Sequence, residues 1–363
     1  MYAFNIALVF LSVLCFLLKI STGGSEFAFV GGVISILLFF ATSRKLAPVA
    51  LIVCAAVGFY IFLFGFINNS IEGRNYFLYY FYFLSSLSLA ISIRRLRVDY
   101  AVSQTLLIVS LLWFIYQVAH LGYNPDAYND LIDGSRNFIS GYMIIFMVYY
   151  LYACKLYEKN IFIFYPILIT LSCFILYGRS GIALSLVVLC LSILTKYGKV
   201  YVLLIFAVAV VIGISYAIEI STLIQSSNFA HGVESERSLM LAQYLDSINS
   251  PYDILFGVDF FKCCDLIARF DGNPHNTFIM LHARFGIFPF LLFIAFYIYQ
   301  FISGFIIKYW YFNVLAMIVI IRYALDQFGL FGPADFILFS ILISTVQGQK
   351  ITSKEKLNLI GKS

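Results

Sequence analysis

Long, predominantly apolar runs alternate along this chain with short gaps of charged and turn-forming residues. The runs predict helices at 2–18, 27–43, 47–66, 76–93, 99–120 and 138–154, then at 160–178, 181–195, 200–218, 276–302, 309–328 and 334–348. Such lengths suit membrane-spanning helices, and the runs lack the period-two alternation of half-buried strands. Several fall short of the ~20 residues a span takes, so tilt or local thinning must absorb the mismatch. The expected fold class is an all-α integral membrane protein of about 12 transmembrane helices, one polytopic domain over 1–363.

Composition removes the soluble alternatives. Of the 363 residues, 62% are apolar or aromatic and 11% charged. Soluble domains carry roughly 25% charged residues, so this chain cannot cover a water-facing surface. A net charge of +5, dispersed in small clusters, gives no argument for nucleic acid as partner. Five cysteines sit in apolar runs, where a thiol behaves as a small hydrophobe; Cys263 and Cys264 are adjacent in a loop, as two free thiols or a vicinal disulfide. With no basic leader before the first run, a retained first span is expected.

Charge placement sets the expected orientation. Fourteen of the 23 Lys and Arg fall in alternate gaps, including Arg94, Arg95, Arg97, Lys155, Lys159, Lys196 and Lys199, which marks those gaps as cytoplasmic. Both termini, including the 349–363 tail, then lie in the cytoplasm. Two longer loops face the other side, at 121–137 and 219–275. A membrane protein with most of its polar residues on one face is expected to work there, under its long loop. Within that loop, Leu241, Tyr244, Leu245 and Ile248 recur at helical spacing, which predicts an amphipathic helix on the membrane surface.

Three residues on that face stand out. Arg179, in YGRSG, lies between two apolar runs, where a charge normally has a partner or a task; the bland alternative is an arginine snorkelling to lipid phosphate. Arg237 opens the amphipathic helix and could equally be a solvated charge. His275, in NPHNTF, sits at a loop-to-helix junction and could equally be an interfacial side chain. His282 follows seven residues later, the wrong spacing for a helical metal site, so no metal is expected. Arg322 and Asp326, four apart, read as an intrahelical ion pair.

Taken in order, YGRSGIALS, ERSLMLAQYLDSINSPYDILFGVDF and NPHNTFIMLHARFGIFPFLLF resemble the C-terminal homology region shared by O-antigen polymerases of the Wzy type and O-antigen ligases. The resemblance covers residues 175–300; the first half matches in topology and composition alone. It implies a GT-C-like membrane glycosyltransferase in the bacterial inner membrane, with its active site facing the periplasm. The implied substrates are undecaprenyl-diphosphate-linked oligosaccharides as donor and acceptor. The implied partners are the lipid bilayer and a chain-length regulator protein.

The residues suit that chemistry. A departing lipid diphosphate needs cations, and Arg179 and Arg237 would grip its oxygens without a metal or other cofactor. A sugar hydroxyl needs a base, and neutral His275 is the candidate, with Asn276 orienting it or binding sugar. Direct displacement would invert the anomeric centre. Arg136, Asp133 and Glu236 are further candidates for substrate binding. The 121–137 loop, with Tyr123, Asp126, Tyr128 and Asp130, suits glycan contact and solubility equally. The expected function is polymerisation of O-antigen or a similar surface polysaccharide. The alternatives are a ligase delivering the polymer to lipid A core and, less favoured, a flippase for the same lipid-linked sugars.

Overall fold

A computed structural model describes residues 2–42, 76–132, 135–204, 236–270, 272–306, 310–326 and 331–343, with a few positions at 52–64, 207 and 328. Asp133, most of the expected spans at 47–66 and 200–218, the start of the long loop and the 349–363 tail lie outside them. The described residues form helices and no strand.

Six of these helices are long and apolar enough to cross a membrane: α1 (Tyr2–Thr22), α2 (Ser25–Thr42), α3 (Tyr76–Leu96), α4 (Asp99–Leu121), α5 (Arg136–Leu156) and α7 (Arg179–Tyr197). Between α5 and α7 runs the shorter α6 (Phe164–Ile175). The long loop contributes α8 (Glu236–Asp246), α9 (Pro251–Phe256), α10 (Phe260–Cys263) and α11 (Asp265–Arg269). The C-terminal part holds α12 (Thr277–Phe285), α13 (Ile287–Ile306), α14 (Trp310–Leu325) and a helix over 335–343, α15.

Helix α5 is the axis of the bundle. Every residue from Phe138 to Cys154 is buried, and α4, α6, α7 and α14 pack around it. The helices outside it show Leu14, Phe29, Leu37, Leu112 and Val187 outward, a surface suited to lipid and not to water. Helices α1 and α2 are joined by a hydroxyl contact between Ser12 and Ser35 at 2.6 Å, the kind of polar stitch that helps hold helices together in lipid. Over its described residues the chain is thus a helical, membrane-embedded protein.

Two local expectations are corrected. The single span at 276–302 is broken into α12 and α13 at Gly286, which takes φ +74 and donates its N–H to His282 O at 2.7 Å. A Cβ there would collide with the Leu255 carbonyl, so the break seats α9 against α12. The amphipathic helix α8 turns Met240 and Tyr244 inward against α10, α11 and α12, and leaves Leu241 and Leu245 exposed. Its expected apolar stripe therefore serves two surfaces. Cys263 and Cys264 are joined as a vicinal disulfide.

The ends of the bundle differ. Arg94 and Arg95 at the end of α3, Lys155 at the end of α5 and Lys196 at the end of α7 share one end of these helices. The starts of α5 and α7 and the last turn of α14 meet at the other.

Candidate functional site

The residue that follows α14 supplies the hub. Asp326 has no exposed surface, and three cationic or titratable side chains converge on its carboxyl group. His275 Nδ1 lies 3.0 Å from Oδ1, Arg237 Nη2 3.1 Å from Oδ2, and Arg322 Nη2 3.5 Å from Oδ2. The Asp326 backbone carbonyl accepts from Thr277 Oγ1 at 2.9 Å, which ties the first turn of α12 to the end of α14.

These groups differ in access. Arg322 and Asp326 are wholly buried, whereas the Arg237 side chain is 30% exposed and that of His275 is 18% exposed. The buried carboxylate neutralises the buried guanidinium. The second guanidinium is left as surplus positive charge facing out.

His275 is held by its own loop. Its backbone takes φ +48, an uncommon conformation for a residue with a side chain. Asn273 Oδ1 accepts its N–H at 2.8 Å, and the Phe270 ring meets the imidazole edge-on at 5.4 Å. A carboxylate only accepts hydrogen bonds, so in the neutral imidazole Nδ1 carries the proton toward Asp326. Nε2 then keeps its lone pair for another partner.

The YGRSG turn reaches the same cluster through Ser180, whose Oγ accepts from Arg322 Nη1 at 2.9 Å. Arg322 Nη2 also donates to the Asn137 carbonyl at the start of α5. Arg179, half-buried as the first residue of α7, sits between Ser180 and Gly178. A side chain at Gly178 would meet Asn137 Oδ1. Tyr177 before it also has positive φ, at +55. The Phe328 ring stacks on the Arg322 guanidinium at 4.6 Å and closes the cluster on that side.

The other candidates fall as follows. Asn276 is the N-cap of α12, its Oδ1 accepting from the N–H groups of Phe278 and Ile279. Arg136 opens α5 and pairs with exposed Asp126 at 2.9 Å. Glu236 begins α8 on its exposed side. Tyr128 is buried against Phe114 and donates to the Gly122 carbonyl, so it is an anchor of its loop, while Tyr123 is exposed. His282 points elsewhere: Nε2 donates to Ile254 O at 2.9 Å and Nδ1 accepts from Tyr244 Oη at 2.6 Å. It holds α8 and α9 against α12. No His, Cys, Asp and Glu group suited to a metal ion occurs among the described residues.

Sequence reasoning missed Asp326 as a site residue, and with it Arg322, Ser180 and Thr277. The available signal was an Arg and an Asp four apart in an otherwise apolar run, a costly pair to bury for helix stability alone. Comparison of the chain with protein-family models, with curated proteins and with solved structures finds no match.

Proposed function

We propose that this chain is an inverting membrane glycosyltransferase that joins undecaprenyl-diphosphate-linked repeat units at the periplasmic face of the inner membrane, a polymerase of O-antigen or similar surface polysaccharide. In this reading the protein has about twelve spans in a GT-C-like arrangement. One observation carries the reading: His275 is tethered through Nδ1 to buried Asp326, with Arg237 on the same carboxylate.

In this reaction the acceptor hydroxyl oxygen attacks the anomeric carbon of the donor sugar. Its proton passes to His275 Nε2 as the new glycosidic bond forms. The bond from that carbon to the diphosphate oxygen breaks, and the electron pair leaves with the diphosphate. Arg237, together with Arg179, stabilises the charge that develops there. Asp326 holds the imidazole in the tautomer that can take the proton and stabilises the imidazolium that results. The basic last turns of α3, α5 and α7, at the opposite end of the bundle, support a periplasmic site.

The test is the lipopolysaccharide ladder of the source bacterium with this gene deleted. Core bearing a single repeat unit is the expected result. Core without any repeat, beside accumulated lipid-linked polymer, would assign the ligase reaction instead.

A further inference from the structure

Cys263 and Cys264 form a disulfide between neighbours in sequence, a bond that the reaction above does not use. A cross-link stabilises mainly by removing loop-closure entropy from the unfolded chain, and that gain shrinks with the length of the loop. Between adjacent residues the loop is at its minimum. The bond therefore contributes little to global stability, and its effect is local.

Cys264 ends α10 and begins α11, helices of four and five residues. Isolated helices shorter than about 12–15 residues are marginal in water, so this corner is held by the ring the disulfide closes and by its packing. Cys264 is 1% exposed and shares a buried cluster with Met240 and Tyr244 of α8, Phe260 of α10 and Ile267 of α11. Gln243 Oε1 of α8 accepts the N–H of Leu266, two residues past Cys264, at 3.3 Å. Met240 lies one helical turn from Arg237, the side chain that α8 delivers to Asp326. The disulfide thus belongs to the seat of the helix that carries a cation to the site. Its two sulfurs belong to residues of different access, Cys263 half-buried and Cys264 enclosed.

We propose that Cys263–Cys264 is a redox-modification site: a dithiol reductant opens it, which loosens the seat of α8 and with it the hold of Arg237 on Asp326. A thiolate of the dithiol attacks Cys263 Sγ, on the more accessible residue. The Sγ–Sγ bond breaks, and its electron pair leaves on Cys264 Sγ, which takes up a proton. The second sulfur of the dithiol then displaces Cys263 from the mixed disulfide. Two electrons and two protons pass to the cysteine pair, and the dithiol ends as a disulfide. The consequence for glycan transfer rests on the transferase reading; the redox site does not.

The test treats the full detergent-solubilised chain with dithiothreitol, blocks free thiols with N-ethylmaleimide and reads peptide masses. Before reduction Cys263 and Cys264 should stay unlabelled; after it, without denaturant, both should be labelled. Amide hydrogen exchange of α8 should then run about tenfold faster, as local opening does, while that of α5 is unchanged. The double variant Cys263→Ser, Cys264→Ser should exchange at the faster rate with or without dithiol and melt close to wild type. Labelling of the pair before reduction, resistance to dithiol until denaturant is added, or exchange in α8 indifferent to reduction would each overturn the proposal. Failure of the transferase reading would show separately, as absent glycan transfer by the oxidised chain whose α8 still responds to dithiol.

Discussion

His275 Nδ1 lies 3.0 Å from Asp326 Oδ1, a contact between residues 51 positions apart that joins the end of the long loop to the residue just after α14. In the proposed reaction Asp326 is thereby a positioning residue, acting through the imidazole. Asp326→Asn keeps the shape but removes the charge that fixes the tautomer, so kcat should fall about 10–100-fold, the worth of a charged hydrogen bond. KM for the lipid-linked donor should hold. A rise in KM with unchanged kcat would instead assign Asp326 to binding.

Arg322 is expected to matter more for stability than for chemistry. Its guanidinium is fully buried among Asp326, Ser180 and the Asn137 carbonyl. Arg322→Met leaves a buried carboxylate short of a partner, and the cost should approach about 3 kcal/mol. Arg322→Met combined with Asp326→Leu should recover most of that in thermal unfolding, because Arg237 and His275 both reach solvent. The double variant should nonetheless be inactive. Equal instability of the single and double variants would show that burial of the pair is not the issue.

Arg237 is the partly exposed cation of the cluster, and its task in the proposed reaction is the leaving diphosphate. Arg237→Ala should lower kcat/KM about 10–100-fold, with Arg237→Lys intermediate because charge remains while the bidentate fork is lost. Since guanidinium groups supply this charge, excess chelator should leave the rate unchanged. Activity abolished by chelation and restored by a divalent cation would contradict that assignment.

The sequence pattern located the six membrane-length helices among the described residues to within a few positions, because lipid demands long apolar runs and leaves little else to decide. It also marked His275 and Arg237, which the structure brings together, and the YGRSG turn, whose Ser180 accepts from Arg322 of the same cluster. Asp326 was hidden by its neighbour. An i, i+4 partner such as Arg322 satisfies a charge locally, and no sequence pattern reveals that the distant long loop brings two further groups to the same carboxylate. Gly286 was equally opaque, since one glycine in an apolar run can sit inside a helix. It breaks one here because α9 needs the space a side chain would fill.

Gly141 lets α5 pass close to the cluster. A methyl group there would overlap the Phe328 ring and lie 2.7 Å from Arg322 Nε. Gly141→Ala should therefore destabilise the protein by about 1–3 kcal/mol, as overpacking does, and reduce polymer formation through a displaced Arg322. Unchanged melting and activity in Gly141→Ala would mean that the packing of α5 on α14 does not constrain the site.

The most direct test of the account is the initial rate of polymer formation by purified His275→Ala protein, reconstituted in vesicles with lipid-linked repeat units. Loss of a general base predicts a fall of about 10²–10⁴-fold relative to wild type, with lipid-linked substrate still bound. Polymer formation at the wild-type rate would contradict the assignment of His275 as the base and, with it, the reaction proposed for this site.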